Sequence, residues 1–348
     1  MYNMILSADA LAVPTRTTQS DVFEAYVDRL LGWQNVASSR LVTTVISERT
    51  AEVLLAAGLY PFGPHLRQMI ESCGLEEISV NDILRVANDL LGRGVYIEDD
   101  WGISDVSWIS VTSVPDLTAD CCVPDLRRDI ERLLALMTLL GRIAPDVFAA
   151  SVLIVAQQCS SVAHVTSMID IVEPKAVNDG RVACFAYPVP MSACVCVGFD
   201  VVSAAQHLDN VRLWCAVETV EEADMIIRLA YLKEAFVVDK SVQWTGVPHF
   251  RIRQQFLDSC GRYGFMREPS RVKRLLSALV DLLLSRNESR GHALRTGAGG
   301  NDPPRLRGKD RAWRHDVDYE FHLHIWRMES GVIEFACLVT HNDFYIPE

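Results

Sequence analysis

Three histidines near the end of the chain have the type and spacing that acid–base chemistry requires. His322 and His324 are separated by one residue, and His341 follows further along. Histidine exchanges a proton near neutral pH, so paired histidines can act as general base and general acid. Alternate residues of a strand share a face, so His322 and His324 are predicted to lie side by side if this segment is a strand. The pattern indicates a proton-transfer site, with His341 closing the next strand.

The same three histidines allow two other interpretations. His322, His324 and His341 are a plausible set of three ligands for zinc or manganese. No cysteine or carboxylate has firm ligand spacing beside them, so we expect no cofactor and keep the metal site as the alternative. The first two could also be half-exposed surface residues on an edge strand.

A basic segment precedes the histidines. Residues 286–314 contain eight basic and three acidic side chains. An acidic protein with a basic patch can meet an anionic ligand there. Arg307, Lys309 and Arg314 are candidates for holding phosphates through charge-assisted hydrogen bonds. A solvated, arginine-rich loop is the plainer alternative.

The surrounding residues predict a small α+β module over 248–348. A short alternating strand begins at His249, and two helices follow, the second with an apolar stripe over 272–283. After an irregular Gly- and Arg-rich loop come further strands, two of them joined by a turn at 329–331, and a short strand at 344–346. The apolar face of the histidine-bearing strand is expected to meet the helices, which leaves the histidines on the opposite face.

Five segments then occur in a recognisable order. They are Arg305-Leu-Arg-Gly-Lys, Trp313-Arg-His-Asp-Val-Asp, Phe321-His-Leu-His-Ile, Gly331-Val-Ile-Glu-Phe-Ala-Cys and Thr340-His-Asn. In order and spacing this C-terminal region resembles the RelE/YoeB/HigB superfamily of ribonuclease toxins. The resemblance covers about 100 of the 348 residues. Each segment is unspecific alone, and their succession carries the resemblance.

The resemblance implies metal-free cleavage of RNA and assigns roles. His341 matches the catalytic histidine of the superfamily and becomes the general acid, with His322 or Asp302 as the candidate base. The candidate substrate-binding residues are Arg307, Lys309, Arg314 and His324. His322 stands where the superfamily has the strand arginine that holds the scissile phosphate, so it needs a raised pKa to carry charge there. Asp302 is an approximate counterpart of the acidic residue before the basic loop.

The preceding 246 residues carry no chemical motif. Residues 1–146 are predicted to be mostly helical, with the clearest amphipathic helix at 124–146. Residues 147–246 read as a mixed α/β region with valine-rich strands, without a phosphate-binding glycine loop or a hydrolase motif. We therefore expect an α+β multidomain protein with domains at 1–146, 147–246 and 248–348.

Composition limits the classes of function. The net charge of −12 argues against general affinity for nucleic acid, but residues 261–348 have a balance of +2 and the remainder −14. Ten cysteines without a regular framework predict reduced thiols and a cytoplasmic location. No apolar run is long enough to span a bilayer, so no membrane association is expected.

Three functional hypotheses follow. The first is a toxin-like ribonuclease effector of a bacterial toxin–antitoxin or phage-defence system, with RNA as substrate and a protein partner. The second is a non-catalytic subunit that binds RNA or protein within a defence complex. The third is a metal-dependent nuclease that uses the three histidines.

Overall fold

The computed structural model describes residues 2–15, 19–156, 161–175, 185–297 and 302–348. The protein divides into two compact units, Met1–His207 (unit 1) and Leu208–Glu348 (unit 2). Each unit combines helices with a mixed sheet, which confirms the α+β expectation. The divisions predicted at 146 and 247 differ from this one, because strands from both of the first two predicted domains build one sheet.

Unit 1 contains seven strands and nine helices among the described residues. The strands are β1 (Tyr2–Leu6), β2 (Val42–Ile46), β3 (Val95–Tyr96), β4 (Ile103–Val114), β5 (Ser151–Ile154), β6 (Val162–Pro174) and β7 (Val189–Gly198). The helices are α1 (Ala8–Leu11), α2 (Ser20–Ala37), α3 (Thr50–Ala56), α4 (Gly63–Cys73), α5 (Val80–Arg93), α6 (Ile97–Asp100), α7 (Pro124–Ile143), α8 (Pro145–Ala149) and α9 (Val201–Ala205).

The sheet of unit 1 has the strand order β3-β2-β1-β5-β7-β6-β4. The first five strands in that order are parallel, while β6 is antiparallel to both of its neighbours. Helices occupy more than half of residues 1–146, but the prediction for this region left out the four strands β1 to β4. Short strands buried on both faces are continuous apolar runs, and their periodicity does not distinguish them from helix segments.

The predicted helix at 124–146 is confirmed as α7 and lies at the centre of unit 1. It packs against β4, β6 and β7 on one side and α1, α3 and α8 on the other. Every residue from Leu133 to Leu140 is buried, so the helix is covered all round in its second half. Strands β4 and β6 have irregular register between Ile103 and Ser110.

The described part of unit 2 contains four α-helices and six strands. The helices are α10 (Asn210–Trp214), α11 (Val220–Val238), α12 (Gln254–Arg262) and α13 (Pro269–Leu283). The strands are β8 (Phe250–Ile252), β9 (Gly291–Ala293), β10 (Leu306–Arg307), β11 (Asp310–Asp316), β12 (Phe321–Arg327) and β13 (Ile333–Thr340). Their order is β10-β11-β12-β13-β8, with β9 paired to β11 and with β8 parallel to β13.

Two predictions for this region are wrong. The segment expected to be an irregular loop contains β9 and β10, which both pair with β11. Residues 344–346 are not a strand; this tail segment lies over the sheet, where Ile346 packs with Trp326. Glycine and proline signals marked the loop correctly as non-helical, but they hide strands of two or three residues.

Candidate functional site

Three strand ends bring the candidate residues of unit 2 together. Arg314 and Asp316 lie on β11, His322 is the second residue of β12, and His341 directly follows β13. Asp316 is the register partner of His322, so the two side chains meet across neighbouring strands. Thr340 pairs with the residue before His322, which places His341 beside the same corner of the sheet.

The centre of this corner is a triangle of nitrogen atoms from Arg314, His322 and His341. Arg314 Nη2 lies 2.6 Å from His322 Nε2 and 3.3 Å from His341 Nδ1. The third side, between His322 Nε2 and His341 Nδ1, is 2.8 Å. Arg314 Nη1 also donates to the main-chain oxygen of His341 at 3.4 Å. The guanidinium thus holds both histidine rings in one fixed arrangement.

These contacts define the proton positions on His322. A guanidinium can only donate, so His322 Nε2 must offer its lone pair to Arg314, which leaves the ring proton on Nδ1. That nitrogen lies 2.7 Å from Asp316 Oδ1, a close contact with a carboxylate in which neither atom has the geometry of a hydrogen bond. Burial and the nearby charge of Arg314 lower the pKa of His322 to about 4. His322 is therefore neutral at neutral pH, and the raised pKa that phosphate binding required is contradicted.

His341 is the exposed member of the triangle. Its Nδ1 lies 2.8 Å from His322 Nε2 and 3.3 Å from Arg314 Nη2, so this nitrogen belongs to the triangle. Its other ring nitrogen, Nε2, has no hydrogen-bond partner among the described residues, and the side chain is open to solvent. The exchangeable nitrogen of His341 is therefore the proton-transfer group that an external substrate can reach.

His324 does not belong to this site. It is completely buried, and its Nδ1 lies 2.7 Å from the main-chain oxygen of Tyr345 in the tail. Burial lowers the pKa of His324 to about 4. The interpretation of His322 and His324 as half-exposed edge residues is wrong, because β12 is an inner strand and the tail covers its second face. Because its side chain is fully buried, His324 cannot contact a substrate in this structure, which contradicts its predicted substrate-binding role.

Two of the three predicted phosphate-binding side chains are occupied elsewhere. Arg307 donates to Glu334 Oε1 at 2.7 Å and to Asp310 Oδ2 at 3.1 Å. Lys309 lies 2.6 Å from Glu329 Oε1 on the surface. The side chains of Arg307 and Lys309, which were predicted to bind phosphates of RNA, therefore form ion pairs within the protein instead.

Their position separates them from the histidines. Arg307 pairs in register with Asp310 at one end of β11, whereas Asp316 at the other end pairs with His322. Six residues of strand span roughly 20 Å. Of the three predicted cations, only Arg314 stands at the histidine corner.

Asp302 lies in the segment between β9 and β10. Its main-chain oxygen accepts a hydrogen bond of 2.7 Å from Arg295, and its carboxylate lies beside Gly297. The acidic residue that the structure places at the histidines is Asp316 instead. Sequence reasoning missed Asp316, although its alternation with Arg314 along one strand was a readable signal.

The alternative metal set is not assembled. Among the described residues no group of three or more His, Cys, Asp or Glu side chains could hold a metal ion. His324 uses Nδ1 on the tail, while His322 and His341 face each other and Arg314.

Unit 1 holds a buried charged network that sequence reasoning also missed. Arg132 of α7 donates to Glu98 Oε1 at 2.9 Å, to Ser47 Oγ at 3.0 Å and to Asp105 Oδ1 at 3.2 Å. Glu98 also accepts from the main-chain nitrogen of Glu48 at 2.9 Å. The network borders a cleft of about 740 Å³ between α3, β4 and the start of α7. Each of the three guanidinium nitrogens of Arg132 donates at least one hydrogen bond, which suits a structural ion pair.

A second set of buried charged side chains, formed by Asp9, Asp129 and Arg29, lies near the end of β1. Asp9 after β1 accepts from the main-chain nitrogen of Ala156, and burial raises the pKa of Asp9. Asp129 accepts from the main-chain nitrogen of Ala8 at 2.8 Å, and burial raises its pKa to about 6. Burial lowers the pKa of Arg29, which faces Asp9.

Comparison of the chain with protein-family models, curated proteins and solved structures gives no match. None of the helices in the described ranges has the length and apolar character needed to cross a membrane.

Proposed function

We propose that unit 2 cleaves RNA by metal-free acid–base chemistry at the corner formed by Arg314, His322 and His341. The observation that carries the proposal is the nitrogen triangle, which joins one exposed histidine to one guanidinium. The resemblance of 248–348 to the ribonuclease toxins supports it. A bacterial toxin or phage-defence setting rests on that resemblance.

The geometry suggests a role for each group in transesterification. The 2′-oxygen of RNA attacks the adjacent phosphorus, the bond to the 5′-oxygen breaks, and a 2′,3′-cyclic phosphate and a 5′-hydroxyl result. His341 gives the proton from Nε2 to the departing 5′-oxygen. Arg314 stabilises the charge that develops on the phosphate oxygens. His322 is a positioning residue, because its buried neutral ring orients Arg314 and His341.

The base role moves from His322 and Asp302 to Asp316. His322 is buried and its lone pair faces Arg314, so it has no free site for the 2′-hydroxyl proton. Asp316 is 42% exposed and lies at the same corner. Its carboxylate is therefore the group we propose to receive that proton.

The experiment is cleavage of a labelled single-stranded RNA by the full chain in the presence of a chelator. His341→Ala is expected to lower the rate by about 10²- to 10⁴-fold, the usual contribution of a general acid. Arg314→Gln is expected to lower it as strongly, and the products should carry 2′,3′-cyclic phosphate ends.

Lys309→Gln is the matched control, because Lys309 is a predicted phosphate-binding residue that lies at the other end of the sheet and is 76% exposed. It should cleave like the unchanged protein. Equal rates for the unchanged protein and His341→Ala, with both folded, would reject the proposal.

A second candidate is RNA binding without cleavage. The side chain of Arg314 is only 11% exposed and already contacts two histidines, which favours a structural role for it. Binding of the same RNA that weakens steeply with salt, without product, would support this candidate.

A further inference from the structure

Unit 2 has a second cationic site, on the face of the sheet opposite the histidine triangle. A cavity of about 350 Å³ lies between the end of α13 and strands β11, β12 and β13. Its lining includes Ser285, Arg286, His315, Arg327, Met328 and Ile333. His315 and Arg314 are neighbours on β11 and so point to opposite faces.

The charges of this cavity are unbalanced. None of its lining residues is acidic, whereas two are arginines. The guanidinium of Arg327 lies 4.2 Å from the ring centre of Trp313 rather than in an ion pair. Arg286 reaches a carboxylate, that of Glu234, only at 4.0 Å. Both guanidinium groups therefore keep donors for an anion.

A buried polar atom at the cavity also lacks a partner. His315 is 1% exposed, and its Nε2 has no hydrogen-bond partner among the described residues. Leaving a buried donor unsatisfied is costly, so such atoms usually mark a missing ligand or a functional role. With its proton on Nε2, the neutral imidazole can donate to an anionic oxygen in the cavity.

The backbone beside the cavity is unusual too. Ser285 and Asn287, which follow α13, have φ values of 52° and 53°. Residues other than glycine rarely adopt this left-handed region. Ser285 adopts it where α13 ends, with Arg286 N donating to Asp281 O at 2.8 Å and Ser285 N donating to Leu282 O at 3.2 Å, as is common at a helix C-terminus. The turn places the hydroxyl of Ser285 and the side chain of Arg286 at the same opening.

We propose that this cavity binds a phosphate monoester, with Arg286, Arg327 and His315 Nε2 as donors to its oxygens. Guanidinium groups match phosphate oxygens in geometry and charge. The cavity volume is at the lower end of the range for small-molecule sites. It suits a phosphate that is esterified to a sugar or to a nucleoside. The site is independent of RNA cleavage, because it shares no residue with the histidine triangle.

The test is calorimetric titration of the full chain with inorganic phosphate, AMP and adenosine. Phosphate and AMP are expected to bind and adenosine is not. Arg327→Gln and Arg286→Gln should each weaken AMP binding by about tenfold or more, the usual effect of losing a charge-assisted hydrogen bond. His341→Ala should leave AMP binding unchanged, which separates this site from the proposed cleavage site.

Arg311→Gln is the matched control, because Arg311 is an exposed arginine on the same strand as His315 and does not line the cavity. It should bind AMP like the unchanged protein. A 5′-phosphorylated dinucleotide beside its 5′-hydroxyl form distinguishes an RNA end from a free nucleotide as the source of the phosphate. Absence of AMP binding, equal binding of adenosine, or unchanged affinity in both arginine variants would overturn the proposal.

Discussion

The two histidines of β12 show how one residue type acquires different roles within three positions. His322 and His324 are both buried, and burial lowers the pKa of each to about 4. His322 contacts the exposed ring of His341, whereas His324 donates to the main-chain oxygen of Tyr345 in the tail. The chemistry of a histidine thus depends on which of its nitrogens remains free, and among the three candidate histidines only His341 has a free one at the surface.

The lowered pKa values predict how the stability of unit 2 depends on pH. In the unfolded chain these histidines take up protons below about pH 6.5. In the folded state His322 and His324 stay neutral until about pH 4. Stability is therefore complete above about pH 6.5 and decreases as the pH falls from there to about 4. His324 alone accounts for about 3 kcal/mol of this loss, since one pKa unit corresponds to about 1.4 kcal/mol.

Hydrogen exchange of the amides of β12 and β13, measured from pH 7 to pH 4.5, checks this dependence. His324→Gln is the control, because an amide can donate to the oxygen of Tyr345 but does not titrate in this range. Its pH dependence should be shallower. The same slope in both proteins would contradict the prediction.

The candidate site was predictable from the sequence only in part. Residue types and the two-residue period of strands predicted His322, His341 and Arg314 as candidates, and the three side chains do contact one another. Burial was not predictable, because no local pattern shows that a distant tail covers the second face of β12. The ion pairs of Arg307 could not be read either, since Glu334 is a partner from another strand.

At the scale of elements, the tail after β13 is bound mainly through its main chain. Its carbonyl oxygens accept from Arg305 at residue 344, from His324 at residue 345 and from Trp326 at residue 347. Ile346 adds an apolar anchor that is 4% exposed and packs with Trp326. His341 is the first residue of this segment, so the contacts that bind the tail to the sheet also hold the backbone of His341 in place.

Ile346→Ala is expected to destabilise unit 2 by about 2–5 kcal/mol, the range for removing a buried aliphatic side chain. Chemical denaturation followed by the fluorescence of the buried Trp326 measures the change. Tyr345→Ala is the control, since Tyr345 is 59% exposed and contributes only its main-chain oxygen to the contact with His324. A loss as large in Tyr345→Ala would show that the apolar anchor is not the cause.

The elements of the fold were predictable where their periodicity is long. Helix α7 and helix α13 occupy the segments that their apolar stripes indicated. Strands β1, β2, β9 and β10 have five residues or fewer, too few for a period to emerge. Their pairing with distant strands, rather than any local signal, makes them strands.

At the scale of the whole molecule, charge is divided between the two units. Unit 2 holds 20 of the 33 basic and 20 of the 45 acidic residues, which leaves 13 basic and 25 acidic residues in unit 1. The full net charge of −12 therefore belongs to unit 1. RNA affinity measured on the full chain thus includes repulsion by unit 1, an effect that salt screens.

Unit 2 needs the helices that precede the predicted module. Helices α10 and α11 pack on α13, and the fully buried Trp214 donates to the oxygen of Phe265 at 2.8 Å. We expect residues 208–348 to fold alone and residues 248–348 to lack cooperative unfolding, because the shorter piece exposes the apolar side of α13. Nuclear magnetic resonance dispersion and thermal unfolding of both pieces check this. A well-dispersed, cooperatively melting 248–348 fragment would contradict it.

The central strand of unit 1 has a consequence for how the chain folds. Asn3 on β1 meets Ser151 on β5 across a sequence separation of 148 residues, whereas β11, β12 and β13 are joined by short turns. High contact order slows folding, so when the complete chain refolds the meander of unit 2 should form before the sheet of unit 1 closes. During translation β1 waits with one open edge until β5 has been synthesised, and its apolar residues Met4, Ile5 and Leu6 stay available to chaperones for that time.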